Sequence, residues 1–482
     1  MGTGALTLPS AFSKTGWVLG IVLIIFLAFT SYITVTYVIE SLSCSNAILK
    51  WKRLQYLKRD RILQANQTQS DDSDDSDVMD ERSLINQNAP PNDTIENTPL
   101  CIQRDQFYSL NEKVELGEMS KLFFNQVGGM AFYLCIAIYL YGDLSIYGAA
   151  VSTTLRDVMC DKNTTNNSTI NSTLITDPCW SNHSLSRFDV YRLCLITFTM
   201  LLSPWVFFNV SKTKHLQFLT TVFRWLAFAV MISIAIYKIL KPDTDNPDWI
   251  KPNPPKANFQ QIPYLIGACI YSFMCQHSLP SLLVPIKEKL KIYKIVSLDY
   301  LLIVVLYLIL ALTGIFAFND IRDLYTLNFI PQANQQSIVL KTIEYFLALF
   351  PVFTLSTSFP IIAITLRNNL QTLFLDKNQI HSCNYFVRFM VFPLMAVIPP
   401  FIITFNTENV SSLVSFTGCY AGAVIQYLIP IALVYNSRKM CANLLGRGLS
   451  NEFASPFKSN NWLVMIFTWT CISLIIVSIN LF

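Results

Sequence analysis

The chain has 482 residues, of which 52% are hydrophobic and only 14% are charged. A soluble domain usually carries about 25% charged residues, so this composition excludes an ordinary soluble domain and predicts an integral membrane protein. The net charge of +4 is small and is dispersed among short basic clusters. It therefore bears on membrane topology and gives no support for nucleic-acid binding.

Common enzyme motifs are absent from the sequence: it contains no P-loop, no HExxH pair and no Gly-x-Ser-x-Gly elbow. The twelve cysteines form no CxxC pair and no zinc spacing, and the four histidines lie in scattered segments. A membrane enzyme would need a nucleophile with a base, or a metal set, on one face. We therefore predict that the protein is not an enzyme and has no cofactor or metal site.

The first apolar stretch follows Met1 directly and reads GTGALTLPSAF before Lys14. At 1.5 Å per residue it is too short to cross about 30 Å of hydrocarbon, so it predicts only part of a helix. The next run, 17–39, is free of charge and long enough to span. The basic residues between Lys50 and Arg61 mark its end as cytosolic.

A polar segment, 65–100, lies within a predicted cytosolic loop at 42–121 and contains QSDDSDDSD. It has too little apolar surface to fold, so we expect it to be disordered. Within it Asp80, Leu84 and Ile85 match an acidic dileucine signal, which a sorting adaptor would read to direct the protein to endosomes or lysosomes. The same pattern also arises by chance, and the plasma membrane is then the alternative location.

The segment 152–187 is predicted to be a luminal or extracellular loop, because it is rich in glycosylation sequons. The sequons begin at Asn163, Asn166, Asn167, Asn171 and Asn182. Cys160 and Cys179 lie in the same loop, where oxidising conditions allow a disulfide. If each later predicted span crosses the membrane once, the basic loops that follow all lie on the cytosolic side, which agrees with this orientation.

Further apolar runs complete a set of ten predicted spans and one opening partial helix. The spans after the first are 123–150, 193–210, 215–237, 264–286, 299–318, 345–366, 389–405, 411–435 and 462–479. Asp143 interrupts one of them, either as an interfacial acid near the helix end or as a cavity-facing one. His277 and Pro280 lie near the middle of another, which predicts a broken helix because proline removes a backbone donor.

Two interruptions divide the chain into similar halves. The turn Gly2–Gly4 opens a block of five helices, and the turn Cys275–Pro280 opens a second block of five. This pattern predicts an inverted repeat whose discontinuous first helices offer free backbone groups to a solute, whereas isolated Gly and Pro that merely kink helices are the alternative. The predicted units are 1–240, 241–437, and 438–482 with a cytosolic loop and an eleventh helix.

A third polar patch, FTLSTSFP, lies in the span 345–366 and contains Thr354, Thr357 and Ser358. Hydroxyl groups of this kind can ligate a hard cation such as Na⁺ together with backbone carbonyls of an unwound helix segment. The alternative is that they donate to carbonyls of the preceding turn. Taken alone, the pattern favours the second interpretation.

Four segments carry a resemblance to the amino acid/auxin permease family: GTGALTLPSAF, GACIYSFMCQHSLPSL, FPVFTLSTSFPIIAITLRNN and TGCYAGAVIQYLIP. The resemblance implies an all-α polytopic membrane protein with the five-plus-five inverted-repeat, LeuT-like fold and an eleventh helix. It also implies a solute between the first and sixth helices and coupling to Na⁺ or H⁺ through the first and eighth. The matching residues are Gly2, Thr3, Gly4, Ser272, Cys275 and His277 at the solute turn, and Thr354 and Thr357 nearest a cation.

Family members have a half-helix before the Gly-x-Gly turn, and Met1 stands in its place here, so we expect this form to be impaired in transport. The expected function is secondary transport of amino acids or similar small solutes by alternating access. His277 is a candidate proton acceptor, because imidazole changes charge near physiological pH. The alternative is a sensor that binds the solute and signals through its cytosolic loop. The expected partners are the bilayer and the solute, with no nucleic acid.

Overall fold

The computed structural model describes residues 3–70, 107–160, 178–180, 185–207, 214–241, 252, 254–330, 338–375, 387–446 and 449–481. Within these ranges the regular secondary structure is helical, and one isolated bridge joins Pro178 and Ser186. The helices are α1 Thr3–Thr15, α2 Trp17–Ser70, α3 Leu116–Phe123, α4 Gln126–Met159, α5 Arg187–Phe207, α6 Lys214–Leu240, α7 Ile262–Phe273, α8 Leu279–Leu283, α9 Ile292–Ala317, α10 Ile338–Phe374, α11 Phe392–Asn406, α12 Val410–Thr417, α13 Ile429–Leu444 and α14 Asn460–Leu481. Two π-helical turns, Gly418–Gly422 and Val424–Leu428, join α12 to α13.

Nine helical stretches in the described ranges are long and apolar enough to cross a membrane. They correspond to nine of the ten predicted spans, so the prediction of an all-helical polytopic membrane protein is confirmed. The tenth predicted span, 264–286, is interrupted: α7 ends at Phe273 and α8 begins at Leu279. The opening stretch forms the short helix α1, as its length predicted.

Two predicted loop boundaries are wrong. α2 continues to Ser70, so the first part of the predicted loop 42–121 is helical and so is the start of the segment 65–100. α4 continues to Met159, so the predicted loop at 152–187 begins later than the sequence indicated. Both helices therefore continue past the positions where polar residues begin.

Polar residues continue these helices because their hydroxyl groups bond within the helix itself. Ser41 donates to the carbonyl of Tyr37 at 2.8 Å, and Thr154 donates to that of Ala150 at 2.7 Å. Each hydroxyl group is satisfied one turn back, so the helix continues without exposing an unpaired polar group to hydrocarbon.

One face of the molecule, which we call the disulfide face, carries the disulfide between Cys160 and Cys179. Ion pairs join helix ends and connections on this face. They are Lys14 with Asp323 at 3.2 Å, Arg322 with Asp157 at 3.5 Å, and Arg156 with both Asp157 and Glu408. Together they connect the ends of α1 and α4 to the connections after α9 and α11.

On the opposite face a strap formed by residues 107–115 crosses the ends of several helices before α3 begins. Arg53 of α2 pairs with Glu112 of the strap through both guanidinium NH groups, at 2.5 and 2.8 Å. Lys289, just before α9, donates to the carbonyl of Leu110 at 2.8 Å and to Asn111 at 2.5 Å. The strap is therefore held by both α2 and the chain that leads into α9.

A buried ion pair fixes α2 to α13 near the same face. Arg438 donates from two nitrogens to the two carboxylate oxygens of Glu40, each at 2.8 Å, and the backbone N–H of Ser455 donates to Glu40 at 2.9 Å. The Glu40 side chain is 6% exposed and that of Arg438 is 25% exposed. The pair thus also holds the connection that precedes α14.

Replacing Glu40→Gln should lower the melting temperature of the purified protein in detergent. The substitution leaves Arg438 without its carboxylate partner in a buried place, which typically costs about 3 kcal/mol. The matched control is Asp323→Asn, because the Lys14–Asp323 pair is far more exposed and such pairs contribute less than about 1 kcal/mol. Equal shifts for the two variants would contradict this prediction.

Candidate solute site at the helix break

The site is organised around the five residues between α7 and α8, Met274–Ser278. α7 ends where Met274 adopts an extended conformation, and α8 begins at Leu279 with Pro280 in its first turn. Proline suits that position, because the first N–H groups of a helix have no partner within it. The break leaves backbone groups at two helix ends that must be satisfied from outside the helix.

Neighbouring helices supply these hydrogen bonds. The Phe273 carbonyl accepts from Ser31 of α2 at 3.4 Å and from Tyr300 of α9 at 3.5 Å. The Ser272 carbonyl accepts from Tyr307, also on α9, at 3.2 Å. The open carbonyls at the end of α7 are therefore bound by side chains that come from two other helices.

Gln276, which is fully buried, fixes the break itself. Its side-chain oxygen accepts from the backbone N–H of Cys275 at 3.0 Å. Its amide nitrogen donates to Ser31 at 3.3 Å and to Thr34 at 3.1 Å. The sequence CQHSLP does not predict this role for Gln276, because a neutral amide beside a histidine has no distinctive pattern.

The first and the broken helix touch at Gly4. A Cβ atom added there would lie 2.5 Å from the Oγ atom and 2.8 Å from the Cα atom of Ser272. One residue earlier, the hydroxyl of Thr3 lies 2.9 Å from the phenol oxygen of Tyr271. Thr3, Gly4 and Ser272 therefore lie together, and Cys275 and His277 lie in the break that follows.

Asp143 is buried beside this contact and is only 6% exposed. The hydroxyl of Tyr271 donates a hydrogen bond to its carboxylate. Asp143 is therefore an interior acid that contacts the broken helix, and the interfacial interpretation is wrong. The sequence does not predict this contact, because the two residues lie 128 positions apart.

A cavity of about 590 Å³ reaches the break from the face opposite the disulfide. Its mouth includes the exposed residues Glu118, Lys121 and Asn368, and it extends inward to Tyr139 and His277. The rest of its wall is formed by Leu49, Val114–Gly117, Leu122, Tyr133, Ile136, Leu140, Thr365, Asn369, Thr372 and Ile425. It is thus lined by the helices α3, α4 and α10 and by the break.

At the inner end of the cavity, the rings of Tyr139 and His277 lie 5.8 Å apart between centroids. The Nδ1 atom of His277 is buried and has no hydrogen-bond partner among the described residues. Tyr139 also packs against Tyr271, with ring centroids 6.4 Å apart. A polar solute at the inner end of the cavity would therefore meet the His277 side chain, and one tyrosine ring would separate it from the Tyr271–Asp143 pair.

The hydroxyl patch on α10 lies in an unbroken helix. Thr354 donates to the carbonyl of Phe350 at 3.0 Å, and Thr357 and Ser358 donate to that of Thr354 at 2.9 and 3.0 Å. This is the back-bonding that was the alternative to a cation site. The assignment of Thr354 and Thr357 to a cation remains a prediction. Across the described residues no group of three His, Cys, Asp or Glu side chains could hold a metal ion.

Several predicted residues lie outside the described ranges: Gly2, the sequon asparagines Asn163, Asn166, Asn167, Asn171 and Asn182, and the sorting residues Asp80, Leu84 and Ile85. Cys160 and Cys179 are joined in a disulfide. That bond closes the ends of the sequon-bearing segment.

Comparison with known proteins agrees with a multi-pass membrane protein of the permease class. A family model described as transmembrane amino acid transporter protein matches residues 1–53, and one described as tryptophan/tyrosine permease family matches residues 108–454. The second match covers most of the sequence. The chain therefore belongs to the tryptophan/tyrosine permease family, and the resemblance to amino-acid permeases is confirmed.

Individual relatives match along the whole chain. A Drosophila melanogaster protein named transmembrane protein 104 homolog is 50% identical over 498 residues, which cover 100% of this chain and 94% of the relative. Human transmembrane protein 104 is 42% identical over 490 residues, with the same coverage of both chains. The Caenorhabditis elegans homolog is 34% identical over 513 residues. These names specify no solute.

Replacing Gly4→Ala should separate α1 from α7 and lower the melting temperature. The added methyl group meets the Cα atom of Ser272 as well as its side chain, so a change of rotamer cannot remove the clash, and such overpacking costs about 1–3 kcal/mol. Gly129→Ala on α4 is the matched control, because a Cβ there meets nothing within 4 Å. Equal melting temperatures for Gly4→Ala and wild type would show that the helices are not in this contact.

Proposed function

We propose that this protein is a secondary transporter of amino acids or similar small solutes that works by alternating access. The observation that carries the proposal is the broken helix α7–α8, which meets α1 beside a cavity whose mouth lies on the face opposite the disulfide. Discontinuous helices at the middle of a membrane offer backbone groups and half-helix ends to a solute. Membership of a permease family supports the same function.

The two faces differ as alternating access requires. The cavity opens on the face opposite the disulfide, whereas ion pairs such as Lys14–Asp323 and Arg156–Glu408 connect helix ends on the disulfide face. Disulfides persist in oxidising compartments, so we assign that face to the lumen or cell exterior. The structure then corresponds to an inward-open state. Breaking the ion pairs on the disulfide face and closing the cytosolic mouth of the cavity would give the outward-open state.

The finer architecture belongs to this proposal. The halves 1–240 and 241–437 would be the two repeats of a LeuT-like fold, with α1 and the α7–α8 pair as their corresponding discontinuous helices, and 438–482 would add the eleventh helix. The contact between Gly4 and Ser272 supports this pairing. Endosomal or lysosomal targeting through an adaptor, and glycosylation of the luminal loop, are further parts of it.

The solute would contact Thr3, Gly4, Ser272, Cys275 and His277, with Gly2 preceding them. Either Na⁺ near Thr354 and Thr357 or a proton would couple transport to a gradient. An amino acid fits this site because its ammonium and carboxylate groups can use acceptors and donors at helix ends.

Uptake in proteoliposomes tests the proposal, with the 482-residue protein compared with a version in which a half-helix precedes Gly2, since the shorter form is expected to be impaired. A panel of radiolabelled L-amino acids, supplied with an inward Na⁺ gradient, an inward proton gradient or neither, should include at least one that accumulates. Binding of a panel member, detected as a rise in melting temperature, without uptake in any condition would indicate a sensor instead. The absence of both binding and uptake across the panel would contradict the proposal.

His277→Ala should reduce uptake of the transported amino acid about tenfold. The substitution removes a hydrogen-bonding nitrogen at the inner end of the cavity, and one hydrogen bond contributes about 0.5–1.5 kcal/mol, where 1.4 kcal/mol corresponds to a factor of ten. Asn369→Ala, at the mouth of the same cavity, is the control and should leave uptake within about twofold. A similar loss in both variants would remove His277 from the solute site.

A further inference from the structure

Asp143 is an acidic side chain enclosed by helices in the middle part of α4. It is 6% exposed and its carboxylate accepts a hydrogen bond from Tyr271. Ionisable groups within membrane helices are costly, and those that occur pair with one another or take part in ion or proton movement. The proposed solute site does not use Asp143, so its position needs another explanation.

The hydrogen bonds around Asp143 have a defined direction. Tyr271 has a single hydroxyl proton, and it donates this proton to Asp143. The 2.9 Å contact between Thr3 and Tyr271 must then have Thr3 as its donor. Thr3 of α1, Tyr271 of α7 and Asp143 of α4 thus form one directed chain that ends on a carboxylate.

Other titratable groups lie farther away around this chain of hydrogen bonds. On α4 itself Tyr139 and Tyr147 are electrostatic neighbours of Asp143, and Arg224 of α6 lies beside Tyr147. From α12 the neighbour is Thr417, which packs against Gly142 and does not titrate. Further charged or titratable groups on elements around α4 include His277 behind Tyr139, and Glu115, Glu118 and Lys121 near Tyr133. Others are Lys341, Glu344, Tyr345 and Arg367 on α10, Arg187, Asp189, Tyr191, Arg192 and Cys194 on α5, Tyr264 and Cys269 on α7, Cys419, Tyr420 and Tyr427 in the π-helical turns, and Lys14 on α1.

We propose that Asp143 binds the coupling proton of the transport cycle, and that its protonation releases α1 and α7 from α4. The proposal rests on the transporter function above. As an anion, Asp143 accepts a charge-assisted hydrogen bond, which is about twice as strong as a neutral one. When a proton from water forms an O–H bond with the carboxylate, that charge disappears and the bond from Tyr271 weakens. When Asp143 returns the proton to water on the other side, the bond is restored.

The cavity gives this proton a path from the cytosolic face. Tyr139 lines its inner end and lies four residues, about one helical turn, before Asp143 on the same side of α4. Its ring contacts both His277 and Tyr271. A displacement of Tyr139 is therefore the movement that would connect Asp143 to water, while His277 remains available to the solute.

Two transport assays on the same proteoliposomes separate coupling from solute binding. The first measures accumulation of a mixture of radiolabelled L-amino acids driven by an inward proton gradient. The second measures exchange of labelled for unlabelled amino acids with no gradient, over a range of pH. Asp143→Asn should lose accumulation at least tenfold, keep exchange within about twofold of wild type, and make exchange independent of pH. Glu344→Gln, a change to another buried acid in a spanning helix, is the matched control and should keep both activities.

Three results would overturn the proposal. The first is proton-driven accumulation that survives in Asp143→Asn. The second is an Asp143→Asn variant that keeps the wild-type melting temperature but loses exchange as well as accumulation, because Asp143 would then bind solute. The third is accumulation driven by Na⁺ alone. If Asp143→Asn does not fold, Asp143→Glu decides, because it keeps a carboxylate: a shifted pH profile of exchange supports the proposal and an unchanged profile rejects it. Wild type that neither exchanges nor accumulates would instead reject the transporter function itself, and the coupling role with it.

Discussion

An interrupted helix can persist inside a membrane only if other helices bind the backbone groups left at its broken ends. Here that requirement is met by Ser31, Tyr300 and Tyr307, which bind the last carbonyls of α7, and by Gln276, which connects the break to α2. These bonds fix the relative positions of α2, α7 and α9. The cavity, the contact with α1 and the surroundings of Asp143 all depend on that arrangement.

The position of α1 follows from the same break. Gly4 lets α1 approach the backbone of α7 at Ser272, and the approach brings Thr3 to Tyr271. Tyr271 then reaches α4 at Asp143. Two hydrogen bonds, one between Thr3 and Tyr271 and one from Tyr271 to Asp143, thus connect three helices in addition to their packing. In the proposed transport cycle, in which helices move relative to one another, these two bonds would break and reform.

The sequence predicted the features that depend on hydropathy and local chemistry. Charge-free runs located nine spans, and His277 with Pro280 located the break, because hydrocarbon penalises polar groups and proline removes a donor. The ends of α2 and α4 were predicted too early, since polarity was taken as the end of a helix where serine and threonine hydroxyls bond internally. The contact between Asp143 and Tyr271 could not be predicted for a different reason: the two residues are distant in sequence, and only packing brings them together.

The strap of residues 107–115 has a mechanical consequence for the cavity. It is attached to α2 through Arg53 and to the start of α9 through Lys289, and it continues directly into α3, which forms part of the cavity mouth. The entrance is therefore built from a tethered connection, and its width depends on the distance between the two anchoring points. If α2 and α9 move apart, the Arg53 and Lys289 bonds must break or the strap must pull α3 with it, so helix motion and access to the cavity are linked through a single short piece of chain.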